Sequence, residues 1–297
     1  MDKSLPFLQK YKRSSVMWAA LILCLLWLAG FAWVYYYEPI TNLAFPNSDY
    51  WNDKTLDALT LIPSLAVALL GLGLVRQFKP EEPPYRIWLT FTIGWWMWVG
   101  GEISGIVYDY YYWYTNYPEF TLIDLFWSLG YLFFGLSLFY QFQLIYNWKR
   151  GRESLRYLAY LVFAALLTVG LTQWALKAGL GAGYSWPAIY IAILYPVFDL
   201  FEGAAALWLF FLFGRGFLGR PWWGLIAFAI ADSINIYSWI GGFDNTPQNI
   251  YLTVDLFSNV VYVAGYMITA LAFLSAIRHM REKSVPRIPL PPEITGD

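Results

Sequence analysis

The chain has one cysteine, Cys24, and one histidine, His279. A single cysteine excludes an internal disulfide and any zinc site built on cysteines. A single histidine, in a basic stretch near the C-terminus, excludes His-ligated zinc or haem and Ser-His-Asp chemistry in the apolar part of the chain. Charge is scarce as well. Asp, Glu, Lys and Arg make up 13% of the 297 residues, against about a quarter in soluble domains. The net charge of −1 gives no electrostatic footprint for a nucleic-acid partner.

What is present instead is apolar: 59% of residues are hydrophobic and 21% aromatic. A globular core does not absorb that much apolar surface, so the chain needs a lipid bilayer as solvent. Eight segments of spanning length follow one another, roughly 16–37, 56–76, 86–109, 121–147, 155–177, 187–213, 221–241 and 251–277. Turn-rich or charged stretches such as "KPEEPPY", "NWKRGRES" and "GGFDNTPQN" separate them. The expected fold class is therefore an all-α polytopic membrane helix bundle of eight transmembrane helices. The first run exceeds a signal-peptide core and lacks a small-x-small cleavage site, so it reads as a retained anchor.

The basic residues alternate with the spans. Lys3, Lys10, Lys12 and Arg13 precede the first. Arg76, Lys79 and Arg86 lie between the second and third, and Lys149, Arg150, Arg152 and Arg156 between the fourth and fifth. Arg215 and Arg220 follow the sixth, and Arg278, Arg281, Lys283 and Arg287 follow the eighth. Only Lys54 and Lys177 fall on the other side. The positive-inside rule then predicts a multi-pass protein of the cytoplasmic membrane with both termini cytoplasmic. The tail "SVPRIPLPPEITGD" reads as a flexible end.

The two halves share a pattern. Asp124-Leu125-Phe126 is followed by Tyr131, and Asp255-Leu256-Phe257 by Tyr262. Glu102 and Asp232 precede those aspartates by a similar interval, and Pro63 and Pro196 fall in the second and sixth segments. The spacing predicts two four-helix repeats, 1–153 and 154–284, with a tail at 285–297. An even number of helices per half relates them by an axis along the membrane normal.

Six carboxylates fall within or at the ends of spans: Glu102, Asp124, Asp199, Glu202, Asp232 and Asp255. Each costs about 2.5–3.5 kcal/mol at a helix centre on insertion scales, and no Lys or Arg lies at comparable depth. They are expected to face a cavity formed by segments 2, 3, 6 and 7 and opening outward. Asp199 and Glu202 share a helix face, as do Asp232 and Asn235. The blander reading is helix–helix glue through Tyr, Trp or Asn. For Asp124 and Asp255 it is N-terminal capping.

The stretch "YDYYYWYTNY" from Tyr108 to Tyr117 reads as an interfacial aromatic belt, or more sharply as a lid of rings over the acids. Rings with carboxylates suit a cation or an amphipathic, ring-bearing ligand. Gly101 and Gly105 bracket Glu102 and would admit a neighbouring helix closely. The candidate ligand-binding set is Glu102, Asp199, Glu202, Asp232, Asn235, Tyr108, Asp124 and Asp255. The sequence names no cofactor and no metal ligand set.

"LYPVFDLFEGAAALWLF", "AFAIADSINIYSWIGGF" and "VDLFSNVVYVAGY" resemble successive helices of the multi-pass sensor regions of bacterial and archaeal histidine kinases and diguanylate cyclases. The resembling positions are Tyr195, Pro196 and Asp199; Ala231 and Asp232; Asp255 and Tyr262. "EFTLIDLFWSLGY" resembles the last of these elements through Asp124, Trp127, Gly130 and Tyr131. The resemblance implies a membrane sensor with a small-molecule, cation or lipid ligand. No kinase, cyclase or PAS module is read after the eighth segment, so the sensor would act through a partner membrane or signalling protein. Other readings fit the same residues. One is a membrane-integral enzyme using Glu102 and Asp232 as acids on an isoprenoid or lipid substrate, in the loose layout of terpene cyclases. Another is a cation-coupled transporter, and a subunit of a larger complex is a third.

Overall fold

The computed structural model describes residues 15–44, 48–112, 120–148, 185–213, 219–239 and 246–284, with isolated helical positions between 155 and 177. Among the described residues there are seven bounded α-helices. These are α1 (Ser15–Ala44), α2 (Ser48–Val75), α3 (Pro83–Tyr112), α4 (Leu122–Trp148), α5 (Trp186–Phe213), α6 (Trp223–Trp239) and α7 (Gln248–Ser284). A short 3-10 turn, Arg220–Trp222, leads into α6. Helix is the form that satisfies every backbone donor and acceptor inside one segment, which a lipid environment requires.

Among the described residues, five helices are both long and apolar enough to cross a bilayer, over Ser15–Tyr36, Asp53–Val75, Leu122–Leu144, Ile189–Leu212 and Gln248–Arg281. The protein is thus a helical membrane protein, with fewer such helices than the eight expected. The differences have physical reasons. α3 is long, but nine of its 30 residues are Trp or Tyr, which are amphipathic rather than purely apolar, and it also carries Arg86, Glu102 and Asp109. The described extent of α6 is 17 residues, which is about 25 Å of helix and short of the hydrocarbon thickness. The fifth expected segment, 155–177, lies largely outside the described residues, as does the tail 285–297.

Helices α2 to α7 form a closed ring in which each packs on the next and α7 returns to α2, and α1 leans on α2 and α7 from outside. Trp27 on α1 donates its indole N–H to the Leu59 carbonyl at 2.8 Å, pinning that outer helix. The remaining face of α1 exposes Leu23, Leu25, Leu26 and Trp33, a surface compatible with acyl chains.

The centre of the ring is aromatic. On α3, Trp88, Phe91, Trp95 and Trp98 recur at three- and four-residue steps, so they lie on one helix face, and all are buried. Phe91 meets Trp222 at 4.5 Å between ring centroids and Trp95 meets Tyr266 at 5.7 Å. Trp98 stacks on Phe228 at 5.5 Å, and Phe134 wedges against both Phe91 and Trp95. Lipid removes most of the hydrophobic drive between helices, so such close ring packing supplies much of the cohesion.

Glycine lets α4 approach α3. A Cβ on Gly94 would collide with the Phe134 ring, and one on Gly101 with the Trp127 indole. Gly105 meets only Ile123 at 3.8 Å, so of the two glycines bracketing Glu102, Gly101 is the tight one.

Candidate functional site

Where α3 to α7 converge there is a cavity of about 220 Å³. Its aromatic wall is Trp98 of α3, Trp127 and Tyr131 of α4, Tyr195 of α5 and Tyr262 of α7. Trp98 and Trp127 stack at 6.0 Å, Tyr131 stands edge-on to Trp98 at 4.8 Å, and Trp127 meets Tyr195 edge-on at 5.9 Å. The polar wall is Asp232 and Asn235 of α6 with Ser258 and Asn259 of α7; Ala231 completes it. Asn235 alone among the lining residues is exposed, so it marks the mouth.

Each wall tyrosine hands its proton to a carboxylate standing behind it. Tyr131 donates to Asp199 Oδ1 at 2.6 Å, Tyr195 to Asp124 Oδ1 at 2.6 Å, and Tyr262 to Glu102 Oε1 at 2.7 Å. Buried Tyr266 also donates to Glu102. Asp199 Oδ2 and Glu202 Oε1 are buried without a hydrogen-bond partner. Lys54 and Asp57 form an ion pair at 3.1 Å, which involves none of these acids. Nor do the described residues group three His, Cys, Asp or Glu side chains as a metal site.

The acids divide by role. Asp232 and Asn235 line the cavity. Asp199 and Glu202 lie beneath it, each 2% exposed, on the α5 face turned to α4, where Glu202 comes 3.9 Å from the place a Cβ on Gly135 would occupy. Glu102 sits behind Tyr262. Asp124 fulfils the capping reading. It accepts from the Thr121 backbone N–H at 2.7 Å, while Thr121 Oγ1 accepts from the Ile123 N–H at 3.2 Å, a capping box at the start of α4. Its other oxygen serves Tyr195.

Two expected site residues lie elsewhere. Asp255 accepts from Tyr35 of α1 and ties that outer helix to α7. Tyr108 lies nearly three turns beyond Trp98 along α3 and outside the cavity wall, because the wall is built deeper in the bundle than the aromatic belt. Half of the "YDYYYWYTNY" stretch, 113–117, lies outside the described residues. The expected helix set also changes. The second segment contributes no wall residue, and α4 and α7 contribute five, because the tight α3–α4 glycine contact brings α4 inward.

Sequence reasoning about charge missed Trp98, Ser258 and Asn259 altogether. Trp127 and Tyr195 were present only as motif positions of the sensor resemblance, and Tyr131 and Tyr262 only there and in the repeat pattern. No family model, curated protein or solved structure matches the chain.

Proposed function

We propose that this chain is a sensor-like, ligand-binding membrane module that acts through a partner protein. The observation that carries the reading is the cavity of about 220 Å³ on which five helices converge, walled by rings and one carboxylate. Buried acids are costly in a bilayer, and these are spent on orienting the wall of a small chamber. The wall also collects Trp127, Tyr131, Tyr195, Ala231, Asp232 and Tyr262, six of the positions through which the chain resembles kinase- and cyclase-linked sensor regions. A polar, acid-lined chamber suits a small ligand better than an isoprenoid chain.

The module is read as eight spans with both termini cytoplasmic, in two related halves. Supporting the halves, Gly94 meets Gly130 under Trp98, and Gly224 meets Gly265 under Phe228. This pairing keeps Glu102 opposite Asp232. It matches Tyr131 with Tyr266 and shifts the fourth helix of each half by one turn from the Asp124–Asp255 register.

The test uses purified full-length protein in lipid nanodiscs, with thermal unfolding followed against a chemically diverse panel of small fragments. Binding raises the unfolding temperature by mass action. At least one fragment shifts the wild type and fails to shift Asn235→Trp, which plugs the mouth from an exposed position. A panel with no shift, or equal shifts in the plugged variant, overturns the reading. Turnover of an isoprenoid by the purified chain, abolished by Glu102→Gln, favours the enzyme.

A further inference from the structure

We infer that the ligand is a small organic cation bearing N–H donors, a protonated primary or secondary amine, with Asp232 as its counter-ion. The inference rests on the reading of this cavity as a ligand site and adds the chemistry of the ligand.

The argument is an accounting of protons at the wall. The hydroxyl hydrogens of Tyr131, Tyr195 and Tyr262 go to Asp199, Asp124 and Glu102 behind them. Ser258 gives its hydrogen to the Ala231 carbonyl at 2.7 Å, and Asn259 Nδ2 donates to the Asp255 carbonyl at 2.9 Å. The Trp98 indole donates to the Tyr262 oxygen at 2.9 Å. The Trp127 Nε1 is turned against Gly101 rather than into the cavity.

Apart from the Asn235 amide at the mouth and the Trp127 N–H, which is buried against Gly101 without a hydrogen-bond partner, the wall donors are committed outward, and what remains for a ligand is chiefly acceptors. Hydroxyl oxygens keep lone pairs after donating, the Asn259 side-chain oxygen accepts, and the Asp232 carboxylate is acceptor-only when ionised. An anion finds repulsion from Asp232 in such a chamber, and a ligand that only accepts finds little beyond the Asn235 amide at the mouth. A cationic donor finds a partner for each N–H, and ring faces for its charge.

Size narrows the class. The volume is that of about seven waters at about 30 Å³ each, below the 300–1,000 Å³ typical of drug-sized pockets. One ammonium group on a compact, partly apolar body fits. Without a triad of metal-ligating side chains among the described residues, an organic cation suits the site better than a divalent metal.

Four matched probes test this on full-length protein in nanodiscs: benzylammonium, benzyltrimethylammonium, benzyl alcohol and benzoate. Benzylammonium is expected to raise the unfolding temperature and to bind at least about tenfold more tightly than the other three. Asp232→Asn, near-isosteric, is expected to weaken benzylammonium by about tenfold or more, while Asp232→Glu retains binding. The unliganded unfolding temperatures of both variants report whether they fold. Should Asp232→Asn fold poorly, the probe series on the wild type decides alone.

Benzyl alcohol or benzoate matching benzylammonium, with the shift lost in Asn235→Trp, overturns the cationic assignment and leaves the cavity a ligand site. Equal binding of benzyltrimethylammonium overturns the N–H requirement. No shift with any of the four overturns the inference, and the fragment panel then judges the cavity separately.

Discussion

Tyr131 on α4 donates to Asp199 on α5 at 2.6 Å, and the favour is returned two turns away along α4 and one turn away along α5, where Tyr195 on α5 donates to Asp124 on α4 at 2.6 Å. Two helices with comparatively little backbone contact are thereby cross-tied by a reciprocal pair of phenol–carboxylate bonds. Hydrogen bonds to a charged acceptor are among the stronger ones a protein makes.

The cross-tie predicts a non-additive mutant set. Tyr131→Phe leaves Asp199 without its donor and is expected to cost about 1–3 kcal/mol. The double variant Tyr131→Phe/Asp199→Leu is expected to lose less than the two single changes summed, because no buried carboxylate remains unpaired. Unfolding in mixed micelles checks this through a double-mutant cycle.

Glu102 has two phenol donors, so it tolerates the loss of one. Tyr262→Phe and Tyr266→Phe are each expected to cost no more than about 1 kcal/mol, and the pair together about 2 kcal/mol or more. Unfolding temperatures of the three variants, measured in one lipid composition, decide. Equal effects of the single and double variants would sink the shared-acceptor arrangement.

The glycine contacts between α3 and α4 grade by distance. Gly94→Ala drives a methyl into the Phe134 ring and Gly101→Ala into the Trp127 indole, each expected to destabilise by about 1–3 kcal/mol. Gly105→Ala has room at 3.8 Å and is expected to be neutral or slightly stabilising, since alanine is the better helix former. A Gly105 effect as large as that of Gly101 would contradict the packing.

Topology is checked by cysteine scanning in a Cys24→Ala background. With both termini cytoplasmic, cysteines placed at Asn116 and Asp244 react with an impermeant maleimide added to intact cells. One placed at Lys12 reacts only after the membrane is opened. The reverse pattern overturns the orientation drawn from the basic loops.

The sequence made the helical membrane character legible, because spanning length and apolarity are local properties that any window reveals. The seclusion of Asp199 and Glu202 was legible from solvation cost alone. The partners of the acids were not. Tyr131 and Asp199 are 68 residues apart and Tyr262 and Glu102 160, and no local pattern encodes which phenol meets which carboxylate. Rings were misassigned for a related reason. The sequence draws attention to the dense cluster after Tyr108, whereas the cavity takes Trp98, one of four tryptophans and phenylalanines spaced to share a helix face. The count of spanning helices diverged at α3 because amphipathic rings make a buried helix look less apolar than an aliphatic one.

Trp98 belongs to the cavity wall and is also one end of the ring column on α3. From Trp98 through Trp95 and Phe91 to Trp88 the column runs about 15 Å along the helix axis, with Trp222 and Phe273 seated at its far end. Close-packed interiors are nearly incompressible and transmit strain. Trp98 and Trp95 share Phe134 and Phe228 as neighbours, so a displacement of the Trp98 indole presses on the same rings that hold Trp95, and Trp95 in turn meets Phe91, which packs on Trp222 where the chain turns into α6.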